Sequence, residues 1–370
     1  MFTREDTRIV KGIAIILMLM HHLFAFPNRY PSDFSFAPTF SIYGTDFIVF
    51  LGQFGKICVA LYMFLGGYGL FCQYRTGKKL HENIFKLYTN YWKIFFIFIP
   101  IGFLLFSNQP SDYCAESIIC NVFSKFDLNE FISNLIGWKS TYNREWWFFK
   151  NYLCTIFLGY IFIQMTKSHK SFWVDLFWII VIFITTQAVF PSFSNIPAFN
   201  TLTNNIFYVN LFTLDQSSCS FFMGVIFAKY NIYAKLNELL TSNKKTHQLA
   251  ICICGFILAP CIRQLFGSQI DLFLVPLFTV CCITFCKKIP FLSKIFLVLG
   301  KHNTNIWLIH SFYCYYYYKI TKIVYLSKYA FVDLIILIGI SFFSSVLVNY
   351  FYIGIKRLFS TIPQKNKATR

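Results

Sequence analysis

Residues 9–26 form an apolar run long enough to cross a bilayer, and three ionisable side chains interrupt it: Lys11 near one end, His21 and His22 deep inside. A helix turns about 100° per residue, so the step from Lys11 to His22 brings both side chains to within ~20° of one face, ~16 Å apart along the axis. A cation and an imidazole therefore share one stripe. In a spanning helix His22 sits ~20 Å from Ile9, within the hydrocarbon, where an ionisable group is costly unless it faces a cavity or a partner. The interruptions, and the lack of a small-residue cleavage site after Phe26, set this run apart from a removable signal peptide, so it is expected to stay in the mature chain.

The rest of the chain repeats the theme. Of its residues 56% are hydrophobic and 13% charged, with a mean hydropathy of +0.55. Soluble domains are nearer a quarter charged, so the composition specifies a membrane protein. The net charge of +18 would point to nucleic acid in a soluble protein. Here a cytoplasmic amino terminus and about ten spans put about 22 Lys and Arg inside and about nine outside, so the charge follows from topology and nucleic acid is excluded as a partner. The 13 cysteines make no CxxC pair and no metal-spaced cluster, and no metal site is expected. Cys114 and Cys120, both in an outward loop, are the pair placed to form a disulfide.

The expected architecture is all-α, a polytopic transmembrane bundle with both termini cytoplasmic. Spans are expected near residues 9–26, 54–73, 91–107, 146–165, 172–190, 206–230, 248–266, 272–286, 305–318 and 330–355. Residues 1–355 then form the membrane domain and 356–370 a basic cytoplasmic tail. Residues 129–138, inside the longest polar stretch, have the apolar period of a helix lying on the membrane surface. Lys319, Lys322 and Lys328 fall on the outer side, against the charge rule.

Several blocks then stand in a telling order: Lys11-Gly12-Ile13-Ala14 running to His22; Phe64-Leu65-Gly66-Gly67-Tyr68; Lys86-Leu87-Tyr88-Thr89-Asn90-Tyr91-Trp92; Trp147-Phe148; and Leu299-Gly300-Lys301 through Ile306-Trp307-Leu308-Ile309-His310. Together, over residues 4–350, they resemble the acyltransferase 3 family, integral membrane enzymes that acylate sugars and other envelope components. The family's opening helix carries an Arg or Lys ten intervening residues before a His. Its paired arginines are reduced here to Asn83 and Lys86, and the following Pro is Thr89.

The resemblance implies catalytic roles for His22 and Lys11. A histidine suits removal of a proton from a hydroxyl that attacks an acyl thioester; the alternative is a neutral core histidine hydrogen-bonded between helices. Lys11 binds a donor phosphate or tunes His22, or else anchors the helix end. Lys86, Arg75 and Lys79 are candidates to hold the diphosphate of coenzyme A, although the positive-inside rule alone accounts for them. Gly67 is a candidate for backbone contact with the donor, with close helix packing as the alternative. His310, Asp215 and Trp147 are candidates to line the cavity, although Trp146 and Trp147 also fall where an aromatic belt is expected.

The implied activity is transfer of an acyl group, acetyl for preference, from acyl-coenzyme A to a hydroxyl of an envelope or exported polysaccharide or its lipid-linked precursor. It is expected in the bacterial cytoplasmic membrane, among membrane lipid and proteins of polysaccharide synthesis or export. Acetyl-coenzyme A is then a donor substrate, with no permanently bound cofactor. A transporter or flippase of a lipid-linked glycan is the rival, since buried His, Asp and Lys also line translocation paths. A polysaccharide polymerase fits less well, because residues 108–145 hold no His.

Overall fold

The structure, a computed structural model, describes residues 2–168, 170–193, 196–199, 201, 217–241 and 244–360. It is a bundle of helices, with one short antiparallel pair, Ser41–Ile42 and Thr45–Asp46. Helix α1 spans Arg4–Phe24, α2 Phe47–Gly55, α3 Ile57–Arg75, α4 Leu80–Leu105 and α5 Leu128–Leu135. Then follow α6 Trp147–Thr166, α7 Phe172–Ile184, α8 Ser218–Lys229, α9 Lys245–Phe266, α10 Asp271–Lys288, α11 Pro290–Ser311 and α12 Ala330–Ser360. Among the described residues seven helical stretches are long and apolar enough to cross a membrane, and one of them, Lys245–Lys288, is the α9–α10 hairpin turning at Gly267.

Helix α1 lies at the centre. Its first turn is closed by a capping box: the Thr3 hydroxyl accepts from the Asp6 N–H at 3.1 Å, and the Asp6 carboxylate accepts from the Thr3 N–H at 2.9 Å. The other Asp6 oxygen pairs with Lys287 at 2.6 Å, tying α1 to the end of α10. A Cβ at Gly12 would overlap the Phe296 carbonyl, and one at Gly300 the Arg8 carbonyl, so α1 and α11 cross backbone to backbone. Gly67 and Gly224 do the same for α3 and α8, meeting the carbonyls of Phe221 and Phe64. Between lipid-like surfaces, such small-residue contacts supply the close packing that the hydrophobic effect cannot.

Ion pairs tie helices together inside the bundle. The buried Asp175 carboxylate accepts from Lys229 at 2.5 Å and from the Tyr230 hydroxyl at 2.7 Å, joining α7 to α8. At the turn of the hairpin, Arg263 grips Asp271 and donates to the Gln53 carbonyl at 2.9 Å.

The two ends of the bundle differ. One gathers the start of α1, the end of α3 and the starts of α4 and α11, with Arg4, Arg8, Arg75, Lys79 and Lys86. At the other, the connections after α1, α4 and α11 meet: Ser32 N–H donates to the Tyr113 carbonyl at 2.8 Å, and Ala37 N–H to the Lys328 carbonyl at 2.9 Å. Lys328 therefore lies beside the loop that follows α1, on the side the sequence assigned to it despite the charge rule. Helix α5 does not lie across this end as expected of a surface helix but runs back along α4: Phe126 meets Phe103, Phe131 meets Phe95, and Tyr88, Tyr91 and Trp92 of α4 donate to the carbonyls at its carboxyl end, while Leu128, Ile132, Ile136 and Trp138 stay exposed.

Boundaries moved where polar residues masked the apolar run. The ninth segment, expected at 305–318, begins at Pro290, because Lys294, Lys301, His302 and Asn303 interrupt the apolar run of α11 before residue 305. Expected span 54–73 is the end of a longer stretch broken at Lys56 between α2 and α3. Trp146 is not an interface anchor: it is 2% exposed and its indole donates to the Leu308 carbonyl at 3.0 Å. Helix α12 runs to Ser360, and residues 361–370 of the expected tail lie outside the described residues.

Candidate active site

One cavity of about 1330 Å³ follows α1 from its amino end to beyond its carboxyl end. Arg4, Arg8, Lys11, Lys86 and Lys301 line one mouth, with Asn83, Asn90 and Asn303 among them. Tyr62, Gly66, Phe148, Tyr152 and Trp307 line its middle, and His21, His22, Arg29, Ser140, Thr141, Arg144, Glu145 and Trp147 the opposite mouth. Lys11 and His22 thus line the same space, as their shared helix face requires. The main chain of α1 rises ~21 Å between Arg8 and His22.

The two histidines are held differently. His21 Nδ1 lies 2.8 Å from the Gly52 carbonyl on α2. A carbonyl can only accept, so that nitrogen carries the hydrogen and the ring is a fixed strut between α1 and α2. His22 Nδ1 is buried without a hydrogen-bond partner among the described residues. Its ring stands 4.9 Å, centroid to centroid, from that of His310 on α11 and 5.0 Å from His21. Its main-chain carbonyl accepts from the Tyr315 hydroxyl.

Tyr315 belongs to a π-helical extension of α11, Phe312–Tyr316, a wide turn of the kind that often marks functional sites. It turns Tyr315 toward α1 and Tyr316 toward the loop before α6, where the Tyr316 hydroxyl donates to Glu145 at 2.8 Å. Arg29 closes the cluster: it meets Glu116 at 2.7 Å and Glu145 at 2.9 Å, with its guanidinium over the Phe26 ring at 4.5 Å and the Tyr315 ring at 5.2 Å. Burial works against the Arg29 charge, but Tyr315 and the two carboxylates outweigh it and hold the guanidinium above its ordinary value. Arg144 reaches Glu116 from the other side at 2.5 Å. The sequence reading missed Arg29 and Glu116. The available signal was two arginines and two carboxylates of opposite sign in two segments expected on the same side.

Of the predicted donor residues, Lys86 lines the cavity, whereas Arg75 and Lys79 are exposed outside its wall. Gly67 is also off the wall, packed against Phe221, while its neighbours Gly66 and Gly69 are on it. Trp147 lines the cavity and is 37% exposed. His310 is fully buried behind His22 rather than on the wall. Asp215 lies outside the described residues. Cys114 and Cys120 are free thiols with their sulfurs 3.4 Å apart, one on each side of Glu116. Among the described residues no group of His, Cys, Asp and Glu is arranged to hold a metal.

The arrangement can carry one chemistry across a distance: cations for an anionic group at one mouth, and an imidazole near the other. Comparison with curated proteins and with solved structures finds no match for this chain. A family model described as an acyltransferase domain does match, over residues 7–353, and the chain belongs to the acyltransferase 3 family.

Proposed function

We propose that this membrane acyltransferase moves an acyl group, acetyl for preference, from acyl-coenzyme A to a hydroxyl of an envelope or exported polysaccharide or its lipid-linked precursor. The observation that carries the reading is the single cavity that joins the Arg8, Lys11, Lys86 and Lys301 mouth to His22. The diphosphate of the donor sits among those cations, where charge-assisted hydrogen bonds hold it. Its thioester arm extends along α1 toward His22, and the acceptor enters through the mouth lined by Ser140, Thr141 and Arg144.

His22 takes the proton of the acceptor hydroxyl as that oxygen attacks the thioester carbonyl carbon. The C–O bond forms, the C–S bond breaks, and the imidazolium returns its proton to the departing thiolate. The ester and free coenzyme A are the products. In this reading the basic mouth faces the cytoplasm of a bacterium, where the donor is made, and lies in the cytoplasmic membrane.

The test is incubation of the purified chain with radiolabelled acetyl-coenzyme A and a panel of glycans. Label recovered on glycan with release of free thiol supports acyl transfer. Movement of a lipid-linked glycan across proteoliposomes without thioester consumption would replace it with the transport reading.

A further inference from the structure

His310 has one ring nitrogen fully engaged and one left bare. Its Nδ1 lies 2.7 Å from the Trp307 carbonyl, so Nδ1 carries the hydrogen and Nε2 of the neutral ring is an acceptor. That Nε2 is buried and has no partner among the described residues. The other orphaned imidazole nitrogen nearby is Nδ1 of His22, and the two ring centroids are 4.9 Å apart. Two imidazoles joined by an N–H···N hydrogen bond of ordinary length have centroids about 5 Å apart.

The other groups around His22 are already committed. His21 gives its Nδ1 to the Gly52 carbonyl, Tyr315 gives its hydroxyl to the His22 main-chain carbonyl, and Arg29 is held by Glu116 and Glu145. Phe26, 6.0 Å away, offers only a ring face.

We propose that His310 is a positioning residue for His22: its Nε2 accepts the hydrogen of His22 Nδ1 during the reaction. This rests on the reading of His22 as the base. The bond fixes the His22 tautomer, leaving Nε2 of His22 bare toward the cavity, and it supports the imidazolium once the acceptor proton has arrived. The proton stays on His22 and passes from its Nε2 to the thiolate; His310 gains and loses none. A buried carboxylate would serve the same purpose only at a large desolvation cost, whereas a neutral imidazole sits in an apolar interior without one. Catalytic hydrogen bonds of this kind are commonly long in the empty enzyme and tighten with substrate.

The experiment uses the full chain in detergent, labelled with nitrogen-15 histidine, with coenzyme A present. A low-field N–H resonance lost in both His22→Ala and His310→Phe is the expected signature. In kinetics, His310→Phe should lower kcat about 10- to 100-fold with the donor KM within about twofold, the split expected of a group acting on the base. His310→Gln, whose amide oxygen can accept, should recover part of that loss. Absence of the resonance, or a folded His310→Phe that matches wild type in kcat, would overturn the pairing. A wild-type chain that consumes no thioester would instead contradict the acyl-transfer reading, and with it any catalytic role for the pair.

Discussion

Lys11 and His22 line one wall of one cavity from the same helix, Lys11 among the cations of the basic mouth and His22 beside the cluster of Arg29 and Glu145. A rigid α-helix sets their separation, so a donor that reaches both must be long, anionic at one end and reactive at the other.

Neutralising Arg8, Lys11, Lys86 or Lys301 singly should therefore raise the donor KM about three- to tenfold each, with kcat little changed, because each supplies a charge-assisted contact partly screened by solvent. Arg75→Gln and Lys79→Gln, off the cavity wall, should leave KM within about twofold. Steady-state kinetics at fixed ionic strength measure both; a larger effect at Arg75 or Lys79 would move the donor site off this mouth.

The helix crossings make a separate prediction. Gly67→Ala places a methyl group against the Phe221 carbonyl and Gly12→Ala one against the Phe296 carbonyl, where backbone has no room to give. Each should cost about 1–3 kcal/mol through overpacking. Gly69→Ala, with open space around its Cβ, is the control and should be neutral or better. Thermal unfolding in detergent reads all three.

The Arg29 cluster should behave as a structural clamp. Glu145 is 4% exposed and Arg29 is the cation that pairs with it, so removing Arg29 strands a carboxylate away from water. Arg29→Ala should destabilise the protein by about 3–5 kcal/mol, whereas a paired replacement of both residues should recover much of that. A double-mutant cycle on thermal stability checks this, and additive losses would contradict it.

At Cys114, burial and then the neighbouring Cys120 thiol push the thiol up to about 12 from the ordinary value of 9.0. The thiolate is the reactive form, and a raised pKa keeps it scarce until the solution approaches that value. Alkylation of Cys114 by iodoacetamide should be slow at pH 8 and rise about tenfold per pH unit through pH 10. Peptide mass spectrometry follows it; a plateau near pH 9 would refute the shift.

What the sequence made legible was local. The shared stripe of Lys11 and His22 follows from helical geometry alone, and the apolar face of α5 from the period of residues 129–138. Harder to read was anything assembled from distant segments. His310 meets His22 only because Gly12 and Gly300 let α11 lie against α1. Arg29 finds Glu116 and Glu145 only because three loops converge at one end. Gly67 looked available to a donor because a glycine cluster has the same appearance whether it admits a ligand or a helix; Phe221 decides it. The start of α11 was hidden because Lys301 and His302 face a cavity and a polar seam, where Ser345 meets His302 at 2.9 Å, rather than lipid.

The central claim is that His22 is the base for acyl transfer, and the direct measurement compares wild type with His22→Ala, at matched abundance and folding, for transfer of radiolabelled acetyl from acetyl-coenzyme A to glycan. Loss of at least about 100-fold in kcat, with the donor still bound, is the predicted result. Equal labelling by the two proteins would contradict it.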